Sequence, residues 1–442
     1  MVTTAIEEDA IELPETWLDD DPDYDPYAVF DAQVGAGQES PYPLYREIRD
    51  RGGVLRLKPR TPLDDVASDD DGPPPQFEEW RPGDPEEPLS YGVFTHEAVT
   101  EALRNWQVFS STGYAETMGL VFGHSILEMD PPEHTSHRSL VAQAFRPKVL
   151  ERWESELVRP VIQEQIDTFK GDGEADLTLQ FNLVYPVKVI AGILGVPLAH
   201  WDWFRRRAIE EITIASNIER GLEASRALGE YFRQIITYRR RNPGHDLISE
   251  LVQAEIDGHR LDDEEIIPFL MLLSPAGAET TYRSTGNLLY GLFTNPAQFE
   301  ALKADRDLMP HAIEEAIRWE PPLTAIQRKT MQDTEMNGVA IPEGASVLVN
   351  MGSANHDQAV FGDDAEEFNI FRERHHHLAF AHGPHMCLGM HLARLEMKLA
   401  INMLFDQLPD LHLDPATADE TCIDGQGFRS PNQLRVRFTP VR

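Results

Sequence analysis

Residues 262–294 (DDEEIIPFLMLLSPAGAETTYRSTGNLLYGLFT) constrain the fold more than any other stretch of the chain. They read as one helix, roughly 45–50 Å long at 1.5 Å per residue. Its middle, FLMLLSPAGA, is apolar on every face, so it must run through the centre of a core with other elements packed all round it. Asn295-Pro296 ends it. Pro275 removes a backbone N–H and frees the carbonyl of Met271, which predicts a kink near the helix centre.

The neighbouring pattern agrees. Residues 136–315 are mostly helical in periodicity, with a buried helix over 186–195 closed by Gly195-Val196-Pro197. Thr95 is placed to cap a helix over 96–105, and a last long helix runs from Leu388 to Leu408. Residues 54–57 and 89–94 read as strands of one hairpin with an expanded turn, and 338–349 as further short β pieces. The expected class is mainly α with a minor β-sheet (α+β). It is one large domain over 41–442, without internal repeats.

Charge narrows the partners. The 442 residues carry 75 Asp and Glu against 39 Lys and Arg, a net charge of -36. Such a chain repels phosphate backbones and anionic membrane surfaces, so neither nucleic acid nor membrane insertion is expected. Residues 1–31 hold eleven acids and no Lys or Arg; residues 59–88 hold ten acids and two Arg. These contribute -11 and -8, leaving -17 for the rest. Both stretches are rich in Asp and Pro and non-periodic, so 1–40 reads as an acidic tail and 59–88 as a surface insertion. Two cysteines cannot hold an iron–sulfur cluster or a disulfide framework. No apolar run approaches membrane-spanning length, and the acidic N-terminus has no signal-peptide pattern, so the expected location is cytoplasmic.

Chemistry concentrates in FAHGPHMCLGMHLARLEMKLAINML, residues 380–404, where Cys387 sits on a Gly-containing loop entering a helix. A thiol there faces unpaired backbone N–H groups and the positive end of the helix dipole, which should lower its pKa. Phe380, Gly383, Cys387 and Gly389 spell F-x-x-G-x-x-x-C-x-G. This resembles the haem-thiolate loop of the cytochrome P-450 superfamily, and three further motifs stand in the family's order. Glu315 and Arg318, three apart on a helix, look like its E-x-x-R pair. The third member would be Arg372, with Arg374 a close competitor. Ala276-Gly277-Ala278-Glu279-Thr280-Thr281 resembles the oxygen-activation signature, and Asp130-Pro131-Pro132-Glu133-His134 with Arg138 resembles the D-P-P-E-H-x-x-x-R segment.

The resemblance implies haem b (iron protoporphyrin IX) with Cys387 as its iron ligand. His134, Arg138, Arg328 and His385 would serve the propionates. Phe380, Gly383 and Gly389 would shape the thiolate loop, and Ala276 and Gly277 would leave room beside the long helix. Thr280 would place a hydroxyl where oxygen is activated, and Glu279 would relay protons from outside. The alternative for Thr280 is a hydroxyl bonded back to its own helix. Glu315, Arg318 and Arg372 would be structural. His375-His376-His377 chelate poorly as neighbours, so no zinc site is expected there, and Cys422 reads as a bystander.

The implied reaction inserts one atom of O2 into a small hydrophobic substrate. Leu120, Phe122, Ala276, Leu323, Thr324, Ile326 and Phe428, with the helix near 208–217, are its candidate contacts. Electrons would come from a separate ferredoxin with its reductase, or a flavodoxin, docking on a local basic patch of Arg146, Lys148, Arg372, Arg374 and Arg394. The protein would be a monomer. A peroxide-driven peroxygenase on the same fold and a non-catalytic haem sensor are the alternatives; the Glu279–Thr280 pair argues against both, and turnover with O2 and reductant discriminates them. A thiol hydrolase using Cys387 and His385 leaves the other three motifs unexplained.

Overall fold

The computed structural model describes residues 6, 10–21, 23–33, 40–58, 79, 89–214, 216–256 and 258–441. The insertion anticipated at 59–88 lies outside the described residues, except for Glu79, which bridges to Leu57 and pairs with Arg51 at 2.8 Å.

Eight helices position the site: α1 (Pro26–Gln33), α2 (Glu133–Val141), α3 (Tyr185–Leu194), α4 (Trp201–Ile212), α5 (Ile218–Arg241), α6 (Asp263–Thr294), α7 (Met309–Trp319) and α8 (Met390–Gln407). The long helix forms as its sequence requires. Asp262 accepts from the Glu265 amide while the Glu265 carboxylate accepts from the Asp262 amide, a reciprocal cap satisfying two otherwise orphaned donors. Leu270, Leu288, Leu289 and Leu292 are fully buried, and α3, α4, α5, α7 and α8 all pack against α6. Two prolines, Pro268 and Pro275, sit inside it without interrupting it. Each removes one backbone N–H, so two carbonyls lose their helical donors, and Pro275 does not end the helix.

The sheet is small. Strands β1 (Val54–Leu57), β2 (Ser90–Val93), β3 (Phe109–Ser110), β4 (Ala325–Thr330) and β5 (Ser346–Asn350) form one sheet in the order β1-β2-β5-β4-β3. β1 and β2 pair antiparallel, Val54 opposite Val93 and Leu57 opposite Ser90, as a hairpin with a long turn requires. Thr95 caps His96–Arg104 by accepting from the Ala98 amide. β4 carries Arg328 to the edge of the helical core.

The N-terminal stretch differs from the expected solvated tail. Ile11, Leu18 and Phe30 are buried, and Leu18 is fully so. Its acids face arginines on α4 and α5, which supply the partners that composition alone does not reveal. No helix among the described residues is long and apolar enough to cross a membrane.

Candidate active site

Cys387 lies between a short 3-10 turn, Gly383–His385, and the N-terminus of α8. Its amide donates to the Phe380 carbonyl at 2.8 Å, closing the loop. Gly383 takes a φ of 73°, and a Cβ there would stand 2.6 Å from the Leu103 carbonyl oxygen. Only glycine meets both demands. Burial pushes the Cys387 thiol up from its ordinary value, although the Gly389 and Met390 amides and the Arg138 and Arg394 charges act downward. The lowered thiol pKa expected from helix position is thereby corrected: desolvation outweighs the helix N-terminus. A coordinated cation deprotonates a thiol outright, so this does not oppose metal ligation.

Beside Cys387 is a cavity of about 310 Å³. Ala276, Gly277 and Thr280 line it from α6, and Phe380 and Gly389 from the loop. A Cβ on Gly277 would meet Ile190 at 2.4 Å, so its absence lets α3 close on α6. Leu323 and Ile326 line the cavity, as do Ile126, Leu127 and Phe269.

Four expected substrate contacts do not line it. Leu120 is 61% exposed, Phe122 is in the core, and Thr324 is buried with its hydroxyl donating to the Gln426 carbonyl at 2.6 Å. Phe428 lies in a separate cleft with Glu279 and Arg283. In the helix near 208–217, Ala208 and Ile209 instead border a narrow crevice against Pro275. A one-dimensional reading could place these segments near the site, but not say which side of each would turn inward.

One end of the cavity is cationic. Arg138, Arg328 and His385 line it, and the His385 ring lies 4.2 Å from that of His134. His134 and Arg328 are buried, and Arg138 donates to the Met386 carbonyl. Burial and the neighbouring Arg328, His134 and Arg138 hold His385 down to about 2; burial and Arg138 hold His134 down to about 4. The Nε2 atoms of both histidines are buried without a hydrogen-bond partner. Asp130 stands 4.0 Å from His385 as partial compensation. Crowded, mutually repelling donors with orphaned nitrogens are what two buried carboxylates would satisfy, so the residues fit haem propionates beside a thiolate. Tyr114 is a residue the sequence reading passed over: it lines the cavity, hydrogen-bonds Arg328, and accepts from the Gln327 amide at 3.0 Å. It stands between β3 and α2, in the same stretch as the candidate contacts Leu120 and Phe122, and that neighbourhood is the signal that could have found it.

The expected relay pair splits across α6. Thr280 faces the cavity, and its hydroxyl donates to the Ala276 carbonyl at 2.9 Å, the back-bonded geometry. That leaves the hydroxyl oxygen able to accept from a group in the cavity. Glu279 is 4% exposed and lies on the other side, lining the crevice and the outer cleft. Burial pushes its carboxyl up to about 7, against the pull of Arg283.

Beneath the loop, Arg318 pairs with both Glu315 oxygens at 2.8 Å and donates to the carbonyls of Asn355, Ala365 and Glu367. Arg372 reaches Glu315 at 3.3 Å, whereas Arg374 is exposed on a surface cleft. Asn355 accepts from the Leu378 amide at 2.7 Å, tying this network to the Cys387 loop. Arg372 is thus an internal strut and not part of a docking surface. Arg394 is likewise engaged, by Glu314 at 2.6 Å. No group of three His, Cys, Asp or Glu residues suited to a metal occurs among the described residues.

A family model described as Cytochrome P450 matches residues 212–434. A curated relative, the putative cytochrome P450 YjiB of Bacillus subtilis (strain 168), is 37% identical over 366 residues, covering 79% of this chain and 91% of the relative. A steroid C26-monooxygenase of Mycolicibacterium smegmatis is 33% identical over 78% of this chain and 87% of its own. The crystal structure of CYP109E1 from Bacillus megaterium in complex with testosterone superposes with a TM-score of 0.77 at 31% identity, covering 91% of this chain and all of that one.

Proposed function

The chain belongs to the cytochrome P450 family, and from that premise we propose that it hydroxylates a hydrophobic, steroid-like substrate with electrons from an acidic ferredoxin or flavodoxin. It is a haem b-dependent monooxygenase. When bound, the haem supplies the oxygen chemistry, one atom of O2 entering the substrate and the other leaving as water.

The observation carrying the assignment of residues is the single cavity that brings Cys387, the cationic cluster and Thr280 together. Cys387 would ligate the iron. His134, Arg138, Arg328 and His385, with Tyr114, would hold the propionates. Ala276, Leu323, Ile326 and Leu127 present aliphatic surface that orients an apolar substrate and excludes water. Thr280 would hold a proton-bearing group by accepting its hydrogen bond. Glu279, poised near neutrality, would carry protons between solvent and that side of α6. Glu315, Arg318 and Arg372 would keep the Cys387 loop in place.

The steroid class draws support from the aliphatic lining and from the testosterone complex and steroid monooxygenase named above. For the electron donor, the exposed Arg146, Lys148 and Arg374 remain available as cations on segments around the loop, once Arg372 and Arg394 are set aside. An acidic carrier would meet this local patch despite the overall charge.

The test is the absorption spectrum of the reduced, carbon-monoxide-bound protein, followed by titration with steroids. A strongly red-shifted Soret band lost in Cys387→Ala, and a spin-state shift with testosterone, are expected. Survival of the band in that variant would sink the ligand assignment; steroids causing no shift while linear fatty acids do would sink the substrate class.

A further inference from the structure

The N-terminal acidic stretch is fastened along α4 and α5. The Glu12 amide donates to Gln234 at 3.0 Å, Arg226 to the Glu15 carbonyl at 2.9 Å, and Arg220 to the Leu18 carbonyl at 3.0 Å. Arg206 donates to the Tyr24 carbonyl at 2.7 Å, and Gln33 to the Ile212 carbonyl at 3.1 Å. The Arg220 guanidinium lies 3.7 Å from the Tyr24 ring centre, and that of Arg205 4.4 Å from Tyr27. Together these contacts fix where α1 lies.

There α1 forms a wall of a cleft of about 190 Å³ that Glu279 and Arg283 also line. Phe30 of α1 meets Phe428 at 5.8 Å, and the Arg283 guanidinium lies 5.6 Å from both rings. Arg283 Nη2 stands 3.6 Å from Glu279 and 3.8 Å from Asp31 of α1, while its Nη1 donates to Ser430 at 2.9 Å. Glu279 Oε2 and Arg283 Nη2 are buried without a hydrogen-bond partner in the protein. Separations of this size are those that water bridges. A cleft of this volume accommodates several waters at roughly 30 Å³ each. Asp31 is 56% exposed at its side chain; Glu279 is 5% exposed.

We propose that Asp31 is the outer carboxylate of the proton path to Glu279, positioned by the N-terminal stretch, with Arg283 as the fixed counter-ion between them. The proposal rests on the reading of Glu279 as the relay. Asp31 takes a proton from bulk water, passes it through water in the cleft to the Glu279 carboxylate, and is reprotonated from outside. No electrons move, and Arg283 stays charged throughout. Burial chiefly raises both carboxyls, and each is lowered by Arg283. The other charged or titratable groups facing them are Asp25 just before α1, Tyr27 on α1, Arg205 on α4, Tyr282 on α6 and Asp424 in the C-terminal loop.

The test uses the haem-loaded enzyme with Asp31→Asn, Asp31→Glu and Glu279→Gln. Oxygen-driven turnover is measured in H2O and D2O, and the Glu279 carboxyl is titrated by infrared difference spectroscopy, its band identified by loss in Glu279→Gln. Asp31→Asn should slow turnover about tenfold, less than the roughly 10²–10⁴-fold of an acid or base acting directly on the reacting group, because Asp31 acts one step further out. It should also raise the solvent isotope effect, leave the substrate-induced spin shift at the same midpoint concentration, and move the Glu279 midpoint below 7, since a nearby negative charge is lost. Asp31→Glu should restore the rate and the isotope effect. Unchanged turnover and isotope effect in Asp31→Asn, with Glu279→Gln still slow, overturns the role of Asp31 alone. Unchanged behaviour in Glu279→Gln overturns the relay beneath it. Slow turnover in Asp31→Asn with an unaltered isotope effect and no recovery in Asp31→Glu marks a structural role and also refutes the proposal.

Discussion

Gly383→Ala puts the packing of the thiolate loop to a quantitative test. The residue adopts a φ of 73°, where an L side chain costs about 1–2 kcal/mol. The new Cβ would lie 2.6 Å from the Leu103 carbonyl oxygen and 3.1 Å from the Arg104 Cα, both backbone atoms that no rotamer change can move. Reaching an ordinary carbon–oxygen contact requires the two segments to part by about 0.7 Å. Forced separation of well-packed chain costs about 1–3 kcal/mol more. The sum is about 2–5 kcal/mol, or about 4–10 °C at roughly 2 °C per kcal/mol for a chain of this size. The assay is thermal unfolding of the haem-loaded protein, paired with the fraction of thiolate-ligated carbon-monoxide complex. Gly389→Ala is the control: its φ is −82° and a Cβ there meets no protein atom within 4 Å, so any loss must come through the cofactor. A Gly383→Ala protein that melts within 1 °C of the parent (about 0.5 kcal/mol by the same slope) with a full thiolate spectrum would refute the reasoning.

Three further outcomes follow from the same geometry. Glu315→Gln leaves Arg318 buried with its bidentate carboxylate gone, a change that costs about 3–5 kcal/mol; urea denaturation should show it, and haem incorporation during expression should fall. Arg138→Ala removes a charged donor from the propionate end, and a charged hydrogen bond of about 1.5–3 kcal/mol corresponds to roughly 10–100-fold faster haem loss to apomyoglobin. Glu279, raised from 4.5 to about 7, binds more protons folded than unfolded, so its contribution lowers stability progressively as pH rises through that window, by about 3 kcal/mol in full; Glu279→Gln should melt higher than the parent at pH 8 and alike at pH 4.5.

Features set by local pattern were readable in advance. The end of α6 at Asn295-Pro296, its all-round apolar centre and the three-residue spacing of Glu315 and Arg318 are local rules, and each appears in the structure as read. What failed depended on three-dimensional context. Helix position suggested an acidic thiol at Cys387, but burial, invisible in one dimension, reverses the direction. Arg372 and Arg374 differ by two positions in an irregular segment, where no periodicity decides which one turns inward. Leu120 and Phe122 sit two apart on one short turn; one is exposed and the other buried in core, and neither reaches the cavity.

The N-terminal acids show how a composition can mislead when its partners lie far along the chain. Arg207 and Arg220 are almost fully buried, and between them they share one buried carboxylate, Glu210. Two buried cations on one anion leave an uncompensated charge, a strongly unfavourable state. Asp19 pairs with Arg207, and Asp21 lies 3.6 Å from Arg220, supplying the missing negative charge from nearly 200 residues away. Asp31 stands in the same relation to Arg283. Three acids of this stretch, Asp19, Asp21 and Asp31, thus supply negative charge to arginines buried on α4, α5 and α6. Contacts of this kind are partly shielded from solvent, so moderate salt should leave the segment docked. Neutralising Asp19 should loosen it even at low salt.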